Sequence, residues 1–213
     1  MSISGRFSRS ALAVLLGLVS VAWSAPVLCQ QVPITLPKPE TGGGMPLMQA
    51  LAHRKTTRAF REQALDKQTL SNLLWAAFGV NRPRSVMPGM GRTAPSAMNS
   101  QDIEIEVVLP QGVYLYDAER NLLRPVVAGD VRGKIGPGAA AHAAVTLVYV
   151  APVNDRFAQV DVGFIGQNVY LFAASERLNA WFYVLHGQEA AATLKLASDR
   201  QLLYGQSVGY PPR

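Results

Sequence analysis

The chain has 213 residues, 49% of them hydrophobic, with 20 Lys and Arg against 14 Asp and Glu, a net charge of +6. That length suits one domain with a real core. The positive balance is too diffuse, and too little interleaved with aromatic residues, to read as a nucleic-acid surface. A single cysteine, Cys29, excludes an intrachain disulfide, and the three histidines show no metal-ligand spacing, so no metal site is expected.

Residues 1–24 have the layout of a secretory signal. Arg6 and Arg9 precede the apolar run 11–23, and the small residues Ala22 and Ser24 precede Ala25. The apolar run is short against the roughly 20 residues that span a bilayer. We therefore expect cleavage near Ser24–Ala25, an exported and periplasmic protein, and no span in the mature chain. Lipidation of Cys29 fits less well, because Leu28 stands where a lipobox has a small residue.

Residues 25–44 are rich in Pro and Gly and read as an arm leading into a domain at 45–213. Gly42–Gly44 has no strand before it, which excludes a dinucleotide-binding turn. A short helix is expected at 45–53. The clearest helix is 66–79: Asp66 can cap it, Leu70, Leu73, Leu74, Ala77 and Phe78 keep helical spacing, and Gly79 can end it. Residues 102–109 alternate and 113–117 return as a hairpin. The run 144–151 reads as a strand buried on both faces. Residues 161–178 form a helix apolar around much of its circumference, for a core or a subunit interface. A strand at 180–185, a helix at 188–196 and a strand at 202–208 close the chain. Helices and strands mix without strict alternation, so the class is α+β.

Two stretches could carry chemistry. In HRKTTRAF (53–60), an extended backbone points Arg54, Thr56 and Arg58 the same way. Guanidinium groups suit phosphate oxygens; equally, such a cluster can be a solvated helix end. RTAPSAMNSQ (92–101) is either a capping loop or a reader of a heterocycle edge, since Asn and Gln amides both donate and accept. No Ser–His–Asp grouping is visible. Asp130 and Arg132 read as an ion pair on a turn.

Taken in order, RKTTRAF (54–60), LSNLLWAAFGVNRP (70–83), RTAPSAMNSQDIEI (92–105), GVYLYD (112–117), DVGFIGQNVYLFAAS (161–175) and QSVGYP (206–211) resemble the nitroreductase-like flavin oxidoreductases. The closest resemblance is to the short subgroup related to azoline-peptide dehydrogenases. It implies a mainly antiparallel central sheet packed by helices, an interlocked homodimer, and FMN at the subunit interface. It implies that Arg54, Thr56 and Arg58 hold the phosphate and ribityl chain. Pro95, Ser96, Ala97 and Asn99 would line the ring, with Gln101 nearby, and His186 and Gly187 would lie at the strand end that offers N–H groups to the flavin. The implied reaction is ping-pong hydride transfer through flavin N5, between a small-molecule donor and an acceptor such as a nitroaromatic or quinone. No catalytic side chain is required. The alternatives are an exported flavin-binding protein without NAD(P)H turnover, and a flavin dehydrogenase of a peptide-like substrate. Three departures bear on substrate choice. Only Pro212 and Arg213 follow GYP, LNAWFYVLHG (178–187) has no arginine, and residues 120–162 hold too short an insert for a large lid.

Overall fold

A computed structural model describes residues 31–83, 89–185 and 187–213. The signal-like segment 1–24, Cys29 and His186 lie outside the described residues. Residues 31–213 form one unit.

The sheet has seven strands, every neighbouring pair antiparallel. In chain order they are β1 (Ile34–Thr35), β4 (Glu104–Leu109), β5 (Gly112–Asp117), β6 (Leu122–Ala128), β7 (Val145–Pro152), β8 (Asn179–Val184) and β9 (Arg200–Gly209). Their spatial order is β1-β6-β5-β4-β7-β9-β8. Two short strands, β2 (Val80–Arg82) and β3 (Gly91–Arg92), pair separately. The helices are α1 (Leu47–His53), α2 (Lys67–Phe78), α3 (Arg132–Ile135), α4 (Ala158–Ser175) and α5 (Gln188–Thr193).

The buried run VTLVYVA puts β7 near the centre of the sheet, where both faces are covered. On one face Ile105, Val107 and Leu109 of β4 meet Leu70, Leu73, Leu74 and Ala77 of α2, and Val162, Ile165 and Val169 of α4. On the other, Val108, Val148 and Val150 meet Ile135 of α3 and Leu194 beyond α5. The expected α+β class and helix-packed antiparallel sheet are observed.

Several elements show why the sequence folds this way. Asp66 caps α2, accepting from the Thr69 N–H at 2.8 Å. Gly79 ends α2 with an ordinary φ of −71°. Its glycine is needed for space, since a Cβ there would meet Trp75 Cδ1 at 2.5 Å. Helix α4 sits three residues earlier at each end than the expected 161–178. Its end is a Schellman turn: Leu178 N–H donates to Ala173 O and Arg177 N–H to Ala174 O, with Arg177 left-handed at φ 56°.

Strand β6 was not expected, because Pro125 argues against a strand. It is accommodated at a register shift: Val127 pairs Val113 and Pro125 pairs Tyr114. The arm supplies β1, which pairs with part of β6.

Glu106 lies on β4, 7% exposed, with a buried Oε2 that has no hydrogen-bond partner among the described residues. Burial pushes its carboxyl from 4.5 up to about 7, and the neighbouring Glu104 adds to the rise. The folded protein therefore holds this proton more tightly than the unfolded chain does. Stability should fall as pH rises from 4.5 through about 7, then level off. Urea denaturation should find Glu106→Gln more stable than the parent at about pH 8, by on the order of 1–3 kcal/mol. The gain should shrink toward about pH 5.

Candidate functional site

After α1 the chain runs extended beside β8, an edge strand. Thr57 N–H donates to Ala180 O (2.9 Å), the Asn179 amide to Ala59 O (2.7 Å) and Arg61 N–H to Tyr210 O (2.9 Å). Open sheet edges need such cover. Tyr170 of α4 extends it, its hydroxyl accepting from Phe182 N–H at 2.9 Å. The same hydroxyl lies 2.8 Å from Thr56 Oγ1. Either hydroxyl can donate in that contact, so Tyr170 ties the Phe182 amide and Thr56 to one point of α4. Thr56 itself is exposed.

Arg54 and Arg58 flank this chain of hydrogen bonds. The Arg54 guanidinium lies 5.4 Å from the Tyr170 ring centroid and that of Arg58 lies 5.5 Å from the Trp181 ring. Among the described residues, no carboxylate pairs with Arg54, Lys55 or Arg58. Beside them is a cavity of about 680 Å³ whose lining includes His53, Lys55, Tyr170, Arg177 and Pro211, and no acid. Residues 54, 56 and 58 lie along the outer edge of β8, Arg54 and Thr56 at Tyr170 of α4 and Arg58 at Trp181. In an antiparallel ladder outward amides alternate. Phe182 N–H points outward, so that of Val184 does too, at a residue 52% exposed. Gly187 follows, exposed at φ 99°.

The loop 92–101 is tied differently. The Asp161 carboxylate, 1% exposed at the start of α4, accepts from Ala97 N–H at 2.9 and 3.2 Å. Burial pushes the Asp161 carboxyl up; the Ala97 N–H opposes the rise, and the charges of Asp155 and Asp102 add to it. Ser96 Oγ accepts from Gln101 N–H (3.1 Å). The Gln101 amide donates to Met90 O (2.6 Å) and Asn99 Oδ1 (3.0 Å), and accepts from Arg92 Nε (2.7 Å). Gln101, expected near a ring, also ties its own loop together. Met98, Asn99 and Gln101 all have φ between 54° and 56°. Such strain persists only where surrounding bonds hold it. Pro95 stays exposed, with Ser96, Ala97 and Asn99 partly so.

The structure does not bring the two groups together within one chain. Ala97 is held at Asp161 and the basic face at Tyr170, nine positions further along α4, or roughly 13 Å. Neither Asp161 nor Tyr170 was singled out from the sequence. An acid within an otherwise apolar helical pattern was the available signal for Asp161. Tyr170 gave none, because a tyrosine on such a helix reads as core.

An antiparallel sheet under two helices, with an unpaired basic edge and a strained polar loop, is the frame of a cofactor-binding α+β domain. The Nitroreductase family profile matches residues 51–210, and the chain belongs to that family. The family is one of flavin-dependent oxidoreductases, and this chain is an oxidoreductase of that kind. The "Putative nitroreductase" of Methanocaldococcus jannaschii is 28% identical over 148 residues, 61% of this chain and 73% of its own. A crystal structure of a Ralstonia eutropha JMP134 protein with the same description is 35% identical. It covers 85% of this chain and 90% of that one, with a TM-score of 0.76. The Escherichia coli microcin synthetase McbBCD complex includes a chain that is 19% identical, covering 94% of this chain and 85% of that one. At a TM-score of 0.62 it shares the fold.

Asp161→Ala leaves the Ala97 N–H without an acceptor. It should destabilise the protein by about 1–2 kcal/mol in urea titrations. Asp161→Asn, which keeps a carbonyl oxygen at the site, should cost less.

Proposed function

We propose that the protein is an FMN-dependent oxidoreductase that works as a homodimer. The observation that carries this reading is the donor set on the β8 edge that no carboxylate occupies among the described residues: the Arg54 and Arg58 guanidiniums and the Lys55 ammonium, with the exposed Thr56 hydroxyl beside them. Four donors without an acid among them suit a phosphate and a polyhydroxyl chain. The outward Val184 amide suits a carbonyl or ring nitrogen further along the same edge. The residues present therefore fit FMN.

A dimer completes the site. Phe157, Val160 and Phe164 form an exposed apolar stripe at the start of α4, and Met48 and Leu51 are exposed on α1. A two-fold axis near the middle of α4 would run two copies of the helix antiparallel. The Asp161 end of one copy, with its loop, would then approach the Tyr170 end of the other. That arrangement closes the roughly 13 Å gap along the helix.

Bound FMN would supply reversible hydride acceptance and release, in a ping-pong cycle in which donor and acceptor use one face in turn. The chain's own residues bind and orient. Arg54, Thr56 and Arg58 fix the phosphate end. The exposed Val184 and Gly187 amides would offer N–H donors to the negative charge that a flavin takes up on reduction. Pro95, Ala97 and Asn99 of the second copy would wall the opposite side and exclude water. Nitroaromatics and quinones are the proposed acceptors. The charged, apolar and small segments of residues 1–24 support an exported, periplasmic protein with mature domain 45–213.

Purified protein should be yellow, and mixing with NADH or NADPH without oxygen should bleach it. Bleaching by dithionite alone would favour a binding protein or another donor, and protein that stays colourless after FMN is added and free FMN removed would overturn the flavin reading. Arg54→Ala and Arg58→Ala should each weaken FMN binding by roughly 1–3 kcal/mol, measured by fluorescence titration.

In size-exclusion chromatography the protein should elute as a dimer. Phe164→Glu should shift it toward monomer and release flavin. A folded monomeric variant that keeps its flavin would disprove the shared site.

A further inference from the structure

The arm preceding α1 crosses a cavity apart from the basic edge, whose lining takes only Thr93 from the loop 92–101. Its path is pinned by side chains. Ser71 Oγ and the Asn121 amide donate to Pro37 O at 2.6 and 2.7 Å, and the Gln68 amide donates to Lys38 O at 3.0 Å. Glu40 N–H donates to Asn72 Oδ1 at 2.9 Å, and Met45 N–H to Ser175 Oγ at 2.7 Å. Between the last two pins, no hydrogen bond holds residues 41–44 among the described residues. A Cβ at Gly42 or Gly43 would meet nothing within 4 Å, so this piece stands off the body. Gly44 has φ +80°, and a Cβ there would press on Ser175 Oγ at 2.7 Å, against the second pin.

Beneath this flap, between α1, α2 and α4, is a cavity of about 590 Å³. That is the size range of a small-molecule pocket. Trp75, Leu171 and Phe172 give it an apolar floor. The Trp75 Nε1–H is spent on Val80 O at 3.0 Å, so the indole is fixed and offers only its face. The charged residues in the lining are Glu40 and Glu176, and neither pairs with a cation among the described residues. Asn168 donates its amide to Ala76 O at 3.0 Å, which turns its Oδ1 away as a further acceptor. Asn72 spends its Oδ1 on Gln68 and Glu40, which leaves its own N–H groups as donors.

We propose that this cavity is a second ligand site, taking an organic ammonium ion with an aromatic or branched apolar body. Two unpaired carboxylates and an acceptor amide match ammonium N–H donors, and an indole face attracts a cation. The same groups repel a phosphate or carboxylate. The site is thus opposite in charge to the β8 edge and selects a different ligand class. The stand-off flap gives the entrance, opening between the Glu40 and Met45 pins.

The test is calorimetric titration of the full chain as purified, with its own cofactor complement. The probes are phenethylammonium, phenylethanol and phenylacetate. Heat reports binding without turnover, so the outcome is independent of whether FMN cycles. Phenethylammonium should saturate one site per chain, roughly tenfold more tightly than phenylethanol. Phenylacetate should not compete. The double variant Glu40→Gln, Glu176→Gln, conservative at two exposed positions, should lose about tenfold in affinity for the amine while flavin content stays unchanged. Absence of saturable amine binding below about 10 mM would overturn the proposal. So would phenylacetate binding as well as the amine, or unchanged affinity in the double variant.

Discussion

Helix α4 is seated so close to the sheet that one position admits no side chain. A Cβ at Gly166 would meet the Phe182 ring at 2.9 Å, and the carbonyl of the same residue accepts from the buried Gln206 amide at 3.1 Å. Gln206 in turn accepts from the Tyr149 hydroxyl at 2.6 Å, which joins α4 to β7 and β9. Close packing of this kind leaves little room to slide. The rest of the molecule is referred to that fixed helix. Asp161 at its start holds the loop at Ala97, Tyr170 holds Thr56 and the edge of β8, and Ser175 at its end holds Met45 where the arm enters α1.

Ion pairing separates the cations held by acids from those that no acid holds among the described residues. Arg132 is paired with Asp130 at 2.7 Å and donates to Ala143 O at 2.9 Å. Arg120 and Arg200 are likewise occupied by Asp117 and Glu104, each at 3.0 Å. Arg54, Lys55 and Arg58 lie on aromatic rings or beside an open cavity without an acid. An aromatic face orients a guanidinium without spending its donors, which leaves the fork available to an anion. The arm cavity inverts this arrangement, with acceptors unspent and cations absent from its lining.

Much of the fold was legible where one local rule was decisive. Asp66 with helical leucine spacing gave α2, and the period-2 alternation of Ile103, Ile105 and Val107 gave β4. Strand β6 was hidden because Pro125 speaks against pairing, and only a partner strand able to slip its register could accept it. The spacing of Arg54, Thr56 and Arg58 was legible in the sequence, but their aromatic supports come from α4 and β8, far along the chain. Gln101 shows the opposite limit. Its residue type shows what its amide can bind, but that it binds Arg92 and Met90 O is visible only in the fold.

By itself the sequence determined the α+β class, the helices and strands whose periodicity is local, and the family, because ordered motifs survive in one dimension. The tertiary structure decided which polar groups are already satisfied and which stay available. It tied up Gln101 and Asp161, left Arg54, Thr56 and Arg58 facing outward, and set the loop and the basic edge at opposite ends of one helix. Hydrogen-bond satisfaction is a property of neighbours in space. A side chain's capacity to donate or accept is written in its residue type, but whether that capacity is spent depends on what the fold brings within about 3 Å of it.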